Sequence, residues 1–165
     1  MSKAAIKQNA NASAEAQLKA LNITLPAAGK PAARYVPATQ SGNIVYVSGQ
    51  LPFINGELIH KGQLGANISI EQGQETARNC ALNILAHLRA ICDGNLDKVT
   101  KVLKLEILVS SAQGFTDQHV VANGASNLIA DIFGDEIGSH ARVAYGVAGL
   151  PMGVAVEVAG TFEVA

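Results

Sequence analysis

The sequence predicts an α+β fold, a β-rich sheet with two main helices on one face, and three observations carry that reading. Strand-like segments outnumber helical ones by about two to one. Only two helical patterns are long, enough to cover one face of a sheet and leave the other in need of a cover. The 165 residues, 48% of them hydrophobic, suffice for a single folding unit with a sizeable core.

Composition narrows the function classes. Charged residues make up 15% of the chain, against a usual share of about 25%, so the sequence is too apolar and too weakly charged for disorder. A net charge of -1 and a pI near 6.4 provide no general attraction for a polyanion, which argues against nucleic acid as a partner. No run approaches the roughly 20 apolar residues of a membrane span. The first 20 residues lack the apolar block of a signal peptide, and the expected location is cytoplasmic.

Along the chain, residues 1–12 read as a loose tail, after which Ser13 caps a short helix carrying Leu18 and Leu21. Residues 25–34, with two prolines and a glycine, read as a linker. The expected organisation is thus an N-terminal extension over 1–34 and one compact domain over 35–165. Residues 43–48 form a β-branched and aromatic strand closed by Gly49, and residues 53–59 form a hairpin turning at Asn55-Gly56. Ser69 and Gln72 have capping-box spacing. Ala77, Ala81, Ile84, Leu88 and Ile91 then recur at helical intervals until Gly94.

Residues 99–110 switch to period 2, with Leu103, Leu105, Ile107 and Val109 on one face and Lys104 and Glu106 on the other. A second helix is expected over 117–133 with Gly134 as its stop, although Asn123-Gly124 weakens its middle. Two strands, 141–148 and 154–164, end the chain and read as a terminal hairpin. Arg142, Ala144 and Gly146 share one side of the first; Ala155, Glu157 and Ala159 share one side of the second. If these sides coincide, they form a small-residue surface suited to close approach by another copy of the chain, or a solvated face.

In that hairpin Arg142 and Glu157 point to one face if the register pairs residues whose numbers sum to an odd value. An arginine there can bind a carboxylate by two parallel hydrogen bonds, and a glutamate can orient or deprotonate water. The same two residues also suit a structural ion pair. Ser48-Gly49 at a strand end offers a hydroxyl and an approachable amide, or simply a turn. His60, His87, His119 and His140 lack metal-ligand spacing, and the 16 glycines hold no phosphate loop or dinucleotide fingerprint. Cys80 and Cys92 lie about 18 Å apart along one helical pattern and read as buried thiols.

The segments YVPATQSGNIVYVSGQLP at 35–52 and HARVAYGVAGLPMGVAVEVAG at 140–160 resemble the RidA (YjgF) family of reactive intermediate deaminases, also labelled endoribonuclease L-PSP. The Ala-Arg, Leu-Pro and Val-Glu-Val of the second segment keep the family's mutual spacing. The resemblance implies a chorismate-mutase-like fold and a homotrimer whose sheets form a central barrel, with ligand clefts between subunits. It further implies hydrolysis of 2-imino acids to 2-keto acids and ammonia without metal or organic cofactor. Arg142 matches the family's carboxylate-binding arginine and Glu157 its water-positioning glutamate. Tyr35, Ser48 and Gly49 match residues lining the cleft, and main-chain groups near Gly49 and Ala144 can bind the remaining polar atoms. The helix asparagine matches either Asn123 or Asn127. Ala144 replaces a cysteine frequent in the family, and the stretch 116–127, the N-terminal extension and His140 mark a divergent branch. A small-carboxylate-binding or regulatory trimer without catalysis, and an endoribonuclease, are the alternative expectations.

Overall fold

The computed structural model describes residues 13–29 and 34–165. The expected tail over 1–12 and part of the expected linker lie outside those residues. The strands are β1 (Ala38–Ser41), β2 (Ile44–Gln50), β3 (Phe53–Ile54), β4 (Glu57–Leu58), β5 (Val99–Ser110), β6 (Ala141–Val147) and β7 (Val156–Val164). The helices are α1 (Ala14–Ala20), α2 (Ile70–Ile91), α3 (Gln118–Val121) and α4 (Asn123–Gly138). Five strands make one sheet in the order β1-β2-β7-β5-β6, and β3 pairs with β4 in a separate hairpin.

This order corrects the expected terminal hairpin. β5 lies between β6 and β7, running parallel to β6 and antiparallel to β7. A parallel neighbour cannot be reached by a tight turn, and here α3 and α4 supply the crossover from β5 to β6. The consequence for side-chain direction is immediate. Arg142 pairs with Leu105, whereas Glu157 pairs with Leu108. Leu105 and Leu108 are three residues apart on a strand of period 2, so Arg142 and Glu157 point to opposite faces of the sheet. The two small-residue trios part in the same way, and the surface expected from them does not form.

The core lies between the sheet and the helices. Leu105, Ile107 and Val109 of β5 and Val156, Val158 and Phe162 of β7 are buried on the helix side. Leu103, expected among them, is 36% exposed. The β5–β7 register slips between Val102 and Lys104, and this bulge turns Val102 inward in its place.

The long helix α2 begins as its sequence dictates. Ser69 Oγ accepts from Gln72 N at 3.2 Å, and Gln72 Oε1 accepts from Ser69 N at 2.9 Å. Its inner stripe includes Ala77, Cys80, Ala81, Ile84 and Leu88, all fully buried. Burial pushes the Cys80 thiol well above its ordinary pKa, and the protonated sulfur donates to the Val156 carbonyl at 3.4 Å. The β3–β4 turn is made by Asn55 and Gly56, both at positive φ.

The second helix is divided. α3 ends at Val121 and α4 starts at Asn123, so the weak point read at Asn123-Gly124 marks a real junction. Gly124 has a packing reason to be there: an added β-carbon would stand 2.0 Å from the Gln74 carbonyl oxygen of α2. Because the obstacle is backbone, Gly124→Ala forces α4 away from α2 and should cost on the order of 1–3 kcal/mol, read as a lowered midpoint in thermal or denaturant unfolding. Gly134, the expected stop, adopts φ 69 and interrupts α4 before its last turn.

The compact unit starts earlier than Tyr35. Ala14 and Leu18 of α1 join the main core, and Leu21, Ile23 and Leu25 pack against it. Arg89 grips Glu15 with two bonds of 2.9 Å, and Glu15 Oε1 also accepts from Leu96 N. Apolar burial and a bidentate ion pair thus tie this segment to the end of α2.

Candidate functional site

Arg142 stands on β6, an outer strand, and reaches over the helix side of the sheet toward α3 and α4. Its Nη1 donates to Asn123 Oδ1 at 2.8 Å and to Ser126 Oγ at 3.1 Å, and its Nη2 donates to the His119 carbonyl at 3.2 Å. All three acceptors are neutral. No carboxylate among the described residues pairs with this guanidinium, which remains exposed. Of its five N–H donors, Nε–H and one on Nη2 are left, which keeps charge-assisted donors available to a carboxylate.

Asn123 and Ser126 are one helical turn apart at the start of α4, which is why both meet one guanidinium nitrogen. Asn127, the other candidate, is exposed and makes no recorded bond to Arg142. Ala144, two residues along β6, pairs with Ile107 and packs against the core.

Glu157 belongs to a second cluster on the opposite face. It is half-buried on β7, and no described residue hydrogen-bonds its carboxylate. Burial raises its pKa above the ordinary glutamate value. The carboxylate leans onto Gly49, where a β-carbon would stand 1.9 Å from Oε1. Gly49 lies in an irregularity of the β2–β7 register between Val47 and Gln50, so the backbone there bends as well as making room. Gln50 Nε2 donates to the Ser48 carbonyl at 3.1 Å and to Ser48 Oγ at 3.3 Å, fixing the serine beside it.

The expected site residues therefore fall into separate groups within one chain. Arg142, Asn123 and Ala144 gather at the β6 edge; Glu157 meets Gly49 on the uncovered face, and Ser48, the residue before Gly49 on β2, is held by Gln50. Tyr35 is 52% exposed, just before β1 at the far edge of the sheet. The structural ion pair between Arg142 and Glu157 does not form within the chain. Ser126, His140 and the His119 carbonyl were not expected around Arg142; the one-turn spacing of Asn123 and Ser126 was visible, but the position of β6 against that helix was not.

Among the described residues, no helix is long and apolar enough to cross a membrane, and no group of three His, Cys, Asp or Glu side chains gathers as metal ligands would.

A mixed sheet clothed by helices on one side, with its C-terminal strand at the centre, places the protein in the chorismate-mutase-like class of α+β folds. Within that class the chain belongs to the YjgF family: the family model described as "YjgF/chorismate_mutase-like, putative endoribonuclease" matches residues 15–160, a span that includes α1 from its second residue. Protein TCP17 of Trypanosoma cruzi is 50% identical over 143 residues, covering 87% of this chain and 89% of the relative. The crystal structure of Atu1372 from Agrobacterium tumefaciens, a protein of unknown function, is 45% identical with a TM-score of 0.85, over 92% of this chain and 93% of that one. A protein of Shewanella oneidensis MR-1 described as a "putative endoribonuclease" is 29% identical with a TM-score of 0.88, over 93% of this chain and all of that one (100%).

Proposed function

We propose that the protein hydrolyses 2-imino acids, or their enamine tautomers, to 2-keto acids and ammonia, at clefts formed where copies of the chain meet in a homotrimer. The observation that carries this reading is the state of Arg142: a cation fixed by three neutral acceptors, without a carboxylate partner among the described residues, keeping two N–H donors for an incoming anion. A protonated imine is already electrophilic. Holding its carboxylate and supplying a directed water is sufficient chemistry. Water adds to the imine carbon to give a carbinolamine, a proton moves to nitrogen, and ammonia leaves as the carbonyl forms.

Glu157 is the group we assign to that water, accepting its proton and returning one to the departing nitrogen. Because Glu157 and Arg142 occupy opposite faces of one sheet, a shared site needs Glu157 from a neighbouring copy. Tyr46, Leu103 and Tyr145 are exposed by 36–51% and support assembly, with Tyr46 and Tyr145 on the uncovered face. The Gly49 amide, Ser48 and Tyr35 would come with Glu157; Asn123 and the main chain at Ala144 would come with Arg142. The chain's net charge of -1 gives the endoribonuclease reading of the family description no comparable support.

The test is ammonia release from freshly generated 2-imino acids. Release above the spontaneous rate supports the proposal. A folded wild type that binds pyruvate yet releases no ammonia would favour the non-catalytic carboxylate-binding reading. Gly49→Ala adds a subtler expectation. Its β-carbon meets the free end of a side chain, so the protein should fold with little loss of stability while Glu157 is pushed aside. Turnover should fall at least about fivefold with pyruvate affinity nearly unchanged.

A further inference from the structure

We infer that His140 and Ser126 form a positioning relay behind the Arg142 guanidinium, an inference that rests on the carboxylate-binding reading above. His140 Nδ1 lies 2.6 Å from the Gly138 carbonyl oxygen. A carbonyl only accepts, so Nδ1 carries the hydrogen, and an imidazole holding that one hydrogen presents the lone pair of Nε2. That nitrogen is 3.1 Å from Ser126 Oγ, and the serine hydrogen must point to it. With its single hydrogen committed, Ser126 Oγ faces Arg142 Nη1 only as an acceptor.

A serine hydroxyl left free can rotate its own hydrogen toward the guanidinium, opposing donor to donor. The imidazole removes that state. Asn123 on the same Nη1 then completes a fixed orientation that leaves Nε–H and one Nη2–H for a ligand. His140 thereby acts on the ligand through Ser126 and Arg142, without touching it.

The test uses the full chain with labelled histidine and arginine guanidinium nitrogens at pH 8, above the ordinary histidine pKa of about 6.5. Nitrogen resonance should show His140 in the Nδ1–H tautomer and Arg142 Nη signals resolved by hindered rotation. His140→Phe keeps ring volume and removes both bonds; it should speed that rotation and weaken pyruvate binding by about three- to tenfold. Ser126→Ala should give the same loss, and the double variant no more than Ser126→Ala alone. His140→Gln, whose Oε1 can accept from Ser126, should recover most of the affinity. An Nε2–H tautomer, an Arg142 signal indifferent to His140→Phe, or additive losses would overturn the relay. If wild type fails to bind pyruvate while the Arg142 signal responds as described, the carboxylate-binding reading falls and the relay stands.

Discussion

Arg142→Ala should weaken 2-keto acid binding by roughly ten- to a hundredfold, the loss of charge-assisted hydrogen bonds worth about 1.5–3 kcal/mol, and the proposed turnover of 2-imino acids should fall with it. Calorimetric titration with pyruvate measures the first effect and ammonia release the second. The side chain is exposed at a sheet edge, and its partners Asn123 and Ser126 are reachable by water, so unfolding stability should stay within about 0.5 kcal/mol of wild type. Arg142→Lys restores the charge without the planar fork and should recover only part of the affinity. A truncated protein that binds pyruvate as tightly as wild type would remove Arg142 from the site.

Glu157→Gln should separate binding from chemistry. Pyruvate affinity stays within about twofold of wild type, while ammonia release slows at least about tenfold. Burial holds the wild-type carboxyl above the ordinary glutamate value of 4.5, so the acid limb of the wild-type rate profile should lie above that value and disappear in the variant. Stability moves in the opposite sense. A carboxyl whose folded pKa is raised contributes stability below its unfolded pKa and loses it as pH rises through the folded one. In the protomer, Glu157→Gln should therefore be slightly more stable than wild type at pH 7, with the margin closing below about pH 4.5. The group is half-exposed, and solvent screening keeps that margin small.

Local signals in the sequence were readable because local physics decides them. The Ser69–Gln72 capping box, the Asn55-Gly56 turn and the stripe of α2 each depend on residues within a turn or two of one another. What escaped depended on partners distant in the chain. Parity could fix the relative facing of Arg142 and Glu157 only if β6 and β7 were neighbours, and the insertion of β5 between them reversed the conclusion. Leu103 followed the period of its strand until a bulge shifted it outward. Gly124 looked like a helix defect, and the approach of Gln74 that requires it belongs to another helix. Around Arg142 the sequence marked Asn123 and left Asn127 open; the geometry adds Ser126 and His140, whose relation to β6 exists only after the crossover has packed.

In the proposed assembly each site is divided between copies of the chain, with Arg142 from one and Glu157 from its neighbour. Co-expression of Arg142→Ala and Glu157→Gln tests it most directly, through the ammonia-release rate of the mixed assembly. Each variant alone lacks one half of every site. In a trimer assembled at random from equal amounts, a complete site forms wherever a Glu157→Gln copy supplies Arg142 to an Arg142→Ala copy that supplies Glu157, which is about one site in four. The predicted result is recovery of roughly a quarter of wild-type activity. Mixed trimers, verified by mass, that remain as slow as the separate variants would contradict a site shared between subunits.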